Sequence, residues 1–274
     1  MTRIPCYIPS YMRAGNVLTL DTIPAFFEPI LVVHQSEKAR YRKRHPGVRV
    51  IATQKRGIGL TRAFICRHAL GHNYDVVAML DDDINGWIYK EKLDKFGGIR
   101  QATTAERDKR WRIQIARAQN VLVDQIGYAI SFTYRFALAG ATVEYTSGVK
   151  LRVGLVNECM LMNRVAMENA QFTLDTCEDI EATLHWLEIG CIAGQDQRLG
   201  HTSPKTSLSA KTGGCGEYRE QTDGFHLRNH RKLWKMFPDF VAKPKDEGKR
   251  RSDGMVMLKT RVGYAKAAKT GGMI

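Results

Sequence analysis

The stretch Val76-Val77-Ala78-Met79-Leu80-Asp81-Asp82-Asp83-Ile84 decides how the rest of the chain is read. Five apolar residues in a row, two of them valine, have the pattern of a strand buried on both faces, as inside a parallel sheet. Such a strand delivers its last residues to the carboxyl edge of the sheet, where open α/β sheets bind ligands. Three carboxylates there face a crevice and not the core. Like charges this close repel, and a divalent cation is the simplest relief. In an extended segment Asp81 and Asp83 point to one side and Asp82 to the other, which predicts one metal between two outer aspartates. The plainer alternative is a turn, or a cap on the next helix.

Upstream, Arg3 to Ser10, Ile30 to His34 and Val48 to Ala52 read as further strands, each ending at a polar or small residue. The loop after the first, with Ser10, Arg13 and Gly15, could hold a base and a phosphate through side chains and backbone amides. The turn Arg56-Gly57-Ile58-Gly59-Leu60-Thr61-Arg62 leads into a helix running to about His72, with Ala63, Ile65, Cys66 and Ala69 at core spacing. Its N-terminus directs positive dipole toward the edge that carries the aspartates, a setting that favours a diphosphate. The chain contains neither Gly-x-Gly-x-x-Gly nor a phosphate loop ending in Gly-Lys-Ser/Thr, which excludes P-loop, kinase and dinucleotide-dehydrogenase readings.

Downstream of Gly98 the rhythm changes. Thr103 with Glu106 has capping-box spacing, and Trp111, Ile115, Ala118, Leu122 and Ile126 mark the buried stripe of a long helix ending near Gly127. Tyr128 to Phe132 and Leu151 to Leu161 read as strands. The second passes through Asn157 and Glu158, which would be costly in a core and so are expected to face a pocket. A second acidic cluster, Asp175, Glu178, Asp179 and Glu181, opens a helix whose core face is Ile180, Leu184 and Leu187. Thr176 and Asp179 have capping-box spacing, so these acids either cap the helix or supply a general base toward an acceptor hydroxyl. Lys211-Thr212-Gly213-Gly214 lies in a basic loop suited to wrapping phosphate. His201 and His226 flank it, each an ordinary histidine or a third metal ligand.

A chain of 274 residues can bury one large α/β core. Its six cysteines are widely spaced with no Cys-x-x-Cys pair, as expected of buried thiols in a reducing compartment. No apolar run spans a bilayer and the N-terminus lacks a signal-peptide pattern, so the expectation is a cytoplasmic protein with no membrane partner. The net charge is +14, and Leu227 to Ile274 holds 13 Lys/Arg against four Asp/Glu. Lys38 to Arg62 carries nine Lys/Arg and no acid. Such surfaces recruit polyanions by counterion release, and nucleic acid is the leading partner; a solvated tail is the simpler alternative.

Taken in order, Ile8-Pro9-Ser10-Tyr11-x-Arg13, Val32-Val33-His34 with Glu37 and Tyr41, Gly57-Ile58-Gly59-x-x-Arg62, Leu80-Asp81-Asp82-Asp83-Ile84 and Gly213-Gly214 resemble the TET-associated glycosyltransferases. These are phage and bacterial relatives of the base J glucosyltransferase, within the GT-A class. The resemblance covers roughly residues 4 to 220. It implies an α/β, GT-A-like fold: a mostly parallel, Rossmann-like sheet flanked by helices, with an acceptor-side second half and a basic C-terminal tail. The expected division is a catalytic domain over 1–237, with a donor half to about 98 and an acceptor half over 99–237, then a basic extension over 238–274.

The implied reaction moves a sugar from a UDP-sugar, UDP-glucose foremost, to the 5-hydroxymethyl group of a pyrimidine in double-stranded DNA, 5-hydroxymethylcytosine foremost. If the chain is phage-encoded, this takes place in the host cytoplasm. Pro9, Ser10, Arg13, Arg62, Asp81, Asp82, Lys211, Gly213 and Gly214 would hold the donor. Asp83, Asp81 and His201 would hold Mg²⁺ or Mn²⁺. Asp179, or Glu178 in its place, would be the base of an inverting transfer. Lys43, Arg44, Arg56, Arg228, Arg231 and Lys232 would contact DNA. The other readings are transfer to a polysaccharide, protein or already glycosylated acceptor, and a DNA-binding module in which the acids only cap helices.

Overall fold

The computed structural model describes residues 3–89, 100–101, 103–124, 132–138, 152–153, 158–174, 176–188, 192–203 and 225–244. The first half alternates strand and helix: β1 (Ile4–Pro9), β2 (Phe27–His34), α1 (Lys38–Arg44), β3 (Arg49–Thr53), α2 (Ile58–Gly71) and β4 (Val76–Leu80). Then follow β5 (Gly86–Tyr89), β6 (Arg100–Gln101), α3 (Thr104–Asp124), β7 (Phe132–Leu138), β8 (Arg152–Val153), β9 (Cys159–Asn163), α4 (Arg164–Glu168), α5 (Glu178–Glu188), β10 (Ile192–Thr202) and α6 (Phe225–Met236).

All ten strands form one sheet in the order β3-β2-β1-β4-β9-β7-β10-β5-β6, with β8 pairing to β10. The pairs β3-β2, β2-β1, β1-β4 and β7-β10 are parallel, and only β9, β5 and β8 run against the common direction. The fold is thus the expected α/β type with a mostly parallel central sheet. Chain order reverses between β1 and β4, so the loops leaving their carboxyl ends diverge and open a crevice there.

Alternation along the strands sends side chains to two cores. Cys6, Ile8, Val76, Ala78 and Leu80 pack on one face with Tyr41 of α1 and Trp111 and Ile115 of α3. Tyr7, Val77 and Met79 pack on the other with Ile65 and Ala69 of α2, Met167 of α4 and Trp186 of α5. Every residue of β4 is buried, as a both-faces-covered strand requires, although its second neighbour, β9, is antiparallel. A third cluster, Leu184, Leu233, Phe237, Phe240 and Val241 with Leu174, seats α6 on α5. Phe240 and Val241, expected within the basic extension, belong to this core.

The segment from Leu151 to Leu161 is not one strand. It divides into β8 and β9, and Glu158 just before β9 takes φ 50°. Of the expected strand at Tyr128 to Phe132 only Phe132 lies within the described residues, and it opens β7. Thr103 and Glu106 form the predicted capping box: Thr103 N donates to Glu106 Oε2 at 3.0 Å and Glu106 N to Thr103 Oγ1 at 3.3 Å. Thr176 and Asp179 do not form theirs. Cys177, at φ 62°, precedes the first residue of α5, and Thr176 Oγ1 instead accepts from Asn229 Nδ2 at 2.8 Å.

Candidate active site

The loop after β1 is held by a polar stripe at four-residue spacing. Glu37 accepts Met12 N at 3.1 Å, Tyr41 OH accepts Arg13 N at 3.0 Å, and His45 Nε2–H donates to the Ala14 carbonyl at 2.9 Å. Residues four apart share a helical face, so α1 and its flanks grip three consecutive residues of the loop. The grip holds Met12 at φ 58°. Glu37 and Tyr41 stood out in the sequence. His45 did not, although the i, i+4, i+8 spacing was its signal.

The three aspartates do not alternate. β4 ends at Leu80 and the chain turns at once, so the extended-segment expectation fails. Thr19, fully buried, staples the turn. Its hydroxyl donates to the Asp81 carbonyl and accepts Ile84 N, and its own N–H reaches the Asp82 carbonyl at 3.3 Å. As a result Asp82 and Asp83 both face Arg13, whose Nη1 lies 2.6 Å from Asp82 Oδ1 and 3.3 Å from Asp83 Oδ2. Ser10 Oγ donates to Asp82 Oδ2 and lies 2.7 Å from Tyr41 OH. Asp82, expected to help hold the donor, is therefore bound to Ser10 and Arg13 of the loop after β1. Burial pushes its carboxyl up to about 6 despite Arg13 and Ser10.

Asp81 turns to Arg62, whose Nη2 donates to Asp81 Oδ1 at 2.8 Å. Arg62 Nη1 is 3.0 Å from Glu178 Oε1, an ion pair in which no N–H is aimed at the oxygen, so Nη1 and Nε lack a hydrogen-bond acceptor. One buried guanidinium thus joins the two acidic clusters. Burial opposes its charge, but Asp81, Glu178 and Asp179 outweigh burial and hold its pKa above the ordinary value. Burial also raises the Asp81 carboxyl well above the carboxylate range; Arg62 works against this, while Asp83, Glu158 and Asp82 add to it.

Glu158, expected from the sequence to face a pocket, lies at the entry to β9. Its carbonyl accepts Asp81 N at 2.8 Å, and its carboxylate lies 2.8 Å from His201 Nε2. His201 is completely buried and edge-on to Trp87, with Nδ1 unpartnered. The structure therefore does not bring His201 into a ligand set with Asp81 and Asp83: it stands behind Glu158. Among the described residues no group of three His, Cys, Asp or Glu side chains is arranged to hold a metal.

At the start of α5, Asp179 Oδ1 accepts Ile180 N at 2.8 Å. Glu181, read as part of the acidic cluster, is wholly buried and structural: it accepts Thr173 N at 2.7 Å, Leu174 N at 2.9 Å and the Thr173 hydroxyl. That tie brings the 172–178 segment so close to α2 that a Cβ on Gly59 would sit 2.2 Å from the Leu174 carbonyl oxygen. The first turn of α2, expected to receive a diphosphate, packs on this segment. The backbone strain is local too, since Met12, Glu158 and Cys177 are three of the four non-glycine residues with positive φ among the described residues. Such strain persists only where surrounding structure imposes it.

Lys43, Arg44 and Arg56 are exposed on the first half, and Arg228, Arg231 and Lys232 on α6. Lys211, Gly213, Gly214 and Asp175 lie outside the described residues, as does the His226 side chain. No described helix is long and apolar enough to cross a membrane.

No curated protein matches the chain. Three solved structures illustrate its distant likenesses. A Desulfovibrio desulfuricans G20 protein named for nucleotide-diphospho-sugar transfer is 10% identical, with 86% of this chain and 99% of that one covered and a TM-score of 0.40. The 4-diphosphocytidyl-2C-methyl-D-erythritol synthase of Anaerococcus prevotii DSM 20548 is 10% identical over 80% and 97%, at 0.41. A CMP:2-keto-3-deoxy-manno-octonic acid synthetase with CTP is 11% identical over 80% and 99%, at 0.42. Residues 4–194, which carry β1, α2, the aspartate turn, Glu158 and the start of α5, match the family model described as TET-Associated Glycosyltransferase, and the chain belongs to that family.

Proposed function

We propose that this glycosyltransferase moves a sugar from a UDP-sugar to the 5-hydroxymethyl group of a pyrimidine in DNA, with inversion at the sugar carbon. The observation that carries the reading is Arg62, whose contacts to Asp81 and Glu178 set the acids after β4 beside those opening α5. Donor chemistry and acceptor deprotonation need such neighbouring carboxylate sets with a cation between them.

The residues fit a hard divalent cation of the Mg²⁺ or Mn²⁺ type. Asp81 and Asp83 offer carboxylate oxygens with side chains 28% and 20% exposed at the crevice. Such an ion is commonly held by one or two carboxylates, with substrate phosphates completing its shell. When bound it would supply Lewis acidity toward the departing diphosphate. Ser10, Arg13 and the α1 stripe shape the wall on which the nucleotide lies. Arg62 holds Asp81 in place and counters the charge of the acids around it. Asp179 accepts the proton of the acceptor hydroxyl at a carboxylate oxygen, with Glu178 as its substitute. The exposed cations of α6, seated on the helix that begins with this acid pair, favour a polyanionic acceptor.

Mass spectrometry of hydroxymethylated and unmodified duplexes, incubated with a panel of UDP-sugars and Mg²⁺ or Mn²⁺, tests the proposal. A sugar mass shift confined to the hydroxymethylated strand, lost in Asp179→Asn and Asp83→Asn, is expected. No shift with any donor, while UDP still binds, would move the acceptor to a polysaccharide, protein or already glycosylated base.

A further inference from the structure

A groove of about 730 Å³ crosses the free edge of the sheet at β3, beside α1 and α2. Its walls are Lys38, Arg42 and His45 from α1 and its C-terminal end, Arg49 to Ala52 of the edge strand, and Phe64 and His68 of α2. None of its lining residues is acidic, and Lys38, Arg42 and Arg49 make no ion pair among the described residues. Three cations with no ion pair among the described residues, over an edge strand whose outward amides also donate, form an electropositive trough.

The floor of the trough is built from the core. Tyr7 OH and His68 Nδ1 are 2.7 Å apart, and the phenol has no other hydrogen-bond acceptor among the described residues, which assigns the phenol as donor and the ring proton to Nε2. Burial, with His72 and Arg49 nearby, lowers the His68 pKa to about 4, which keeps that neutral donor form at physiological pH. The groups facing His68 from its own helix and its neighbours are Phe64, His72, Tyr7 and Arg49, and the acid Glu28 acts on Tyr7 but does not line the groove. The groove therefore offers cations and N–H donors together, the complement of a phosphate oxygen. Through the His45 contact to the Ala14 carbonyl, an occupant would lie one side chain from the loop beside the aspartates.

We infer that this groove is a second nucleic-acid contact, separate from the transfer site, that holds backbone phosphates of the duplex on which the enzyme works. The inference rests on the acceptor reading above for the identity of the polyanion. It differs from the exposed Lys43, Arg44 and Arg56 in being a formed concavity with the His68 imidazole, held by Tyr7, in its lining.

Fluorescence anisotropy with a labelled, unmodified duplex tests it, comparing the wild type, Arg42→Glu/Arg49→Glu, and Lys109→Glu on α3 as control. The double variant should bind at least about tenfold more weakly, with the slope of log K against log salt shallower by about 2, and the control within about twofold of wild type. UDP affinity and transfer to a hydroxymethylated dinucleotide too short to reach the groove should not change in the double variant. Duplex affinity equal to wild type in the double variant would overturn the proposal, as would a mononucleotide that competes as well as the duplex does. The two readings fail separately. Groove-dependent duplex binding without transfer from any UDP-sugar would sink the acceptor reading alone, and transfer with undiminished binding in the double variant would sink the groove alone.

Discussion

Replacing Arg62 by methionine removes a cation that contacts both acidic clusters while keeping most of the side-chain volume. The Arg62 side chain is 3% exposed, Glu178 7% and Asp81 28%. Breaking a buried ion pair costs about 3–5 kcal/mol, because a charge stays behind without its counterpart. Water at Asp81 recovers part of this, so the lower end, about 3 kcal/mol, is expected. For a chain of this size that is a fall of roughly 6–12 °C in Tm. The loss should depend on pH. The Asp81 carboxyl already titrates above its usual 3.8 in the folded protein, and without Arg62 it rises further. A carboxyl raised on folding leaves stability intact below the unfolded pKa and erodes it as pH climbs toward the folded value. The deficit of Arg62→Met is therefore largest near neutral pH and narrows toward pH of about 4. Urea unfolding of both proteins at the two pH values measures it. Equal midpoints near neutrality, or a deficit of the same size at both, would refute the reasoning.

Other consequences can be checked in the same way. Gly59→Ala places a methyl against the Leu174 carbonyl, where backbone and not a flexible side chain must move, so a loss of about 1–3 kcal/mol or more is expected in a thermal melt. Glu181→Ala strands the amides of Thr173 and Leu174 and should cost about 2–4 kcal/mol by denaturant midpoint, with transfer impaired because Glu178 shifts with the segment. An NMR titration should find His68 changing charge near pH 4 and not near 6.5. Because its pKa is lowered on folding, the wild type loses stability as pH falls from about 6.5 toward 4, and His68→Asn should flatten that part of the curve.

Local pattern made the first half legible. Apolar runs bounded by turn residues are strand signals that need no distant partner, and β1 to β4 fall within a few residues of where the sequence puts them. The capping box at Thr103 was legible for the same reason, since all its partners lie within one turn. The aspartate turn was not. Alternation assumes that the strand continues, and what ends it is Thr19, more than sixty residues earlier in the chain. Glu181 and Thr176 were misread because each takes a partner outside its own helix turn: the backbone at 173–174 for one, Asn229 for the other. The division of Leu151 to Leu161 rests on a left-handed backbone at Glu158, a residue type that gives no hint of it. The site's residue types were visible in the sequence, whereas the pairing of each acid with its arginine depends on tertiary closure.

That closure bears on how the protein comes into being on the ribosome. Arg62 emerges more than a hundred residues before Glu178, and β4 before its neighbour β9, which completes the burial of the strand that ends in the aspartates. Between the emergence of Asp81 and that of Glu178 the nascent chain therefore carries a guanidinium with one of its two carboxylate partners missing and, until β9 is made, a central strand open on one side. The segments on either side of residue 98 share one sheet, through β4 and β9, and one ion-pair network, through Arg62 and Glu178. A gene split at that point should therefore yield fragments that depend on each other to fold, since β4 lacks its neighbour β9 in one and β9 lacks β4 in the other.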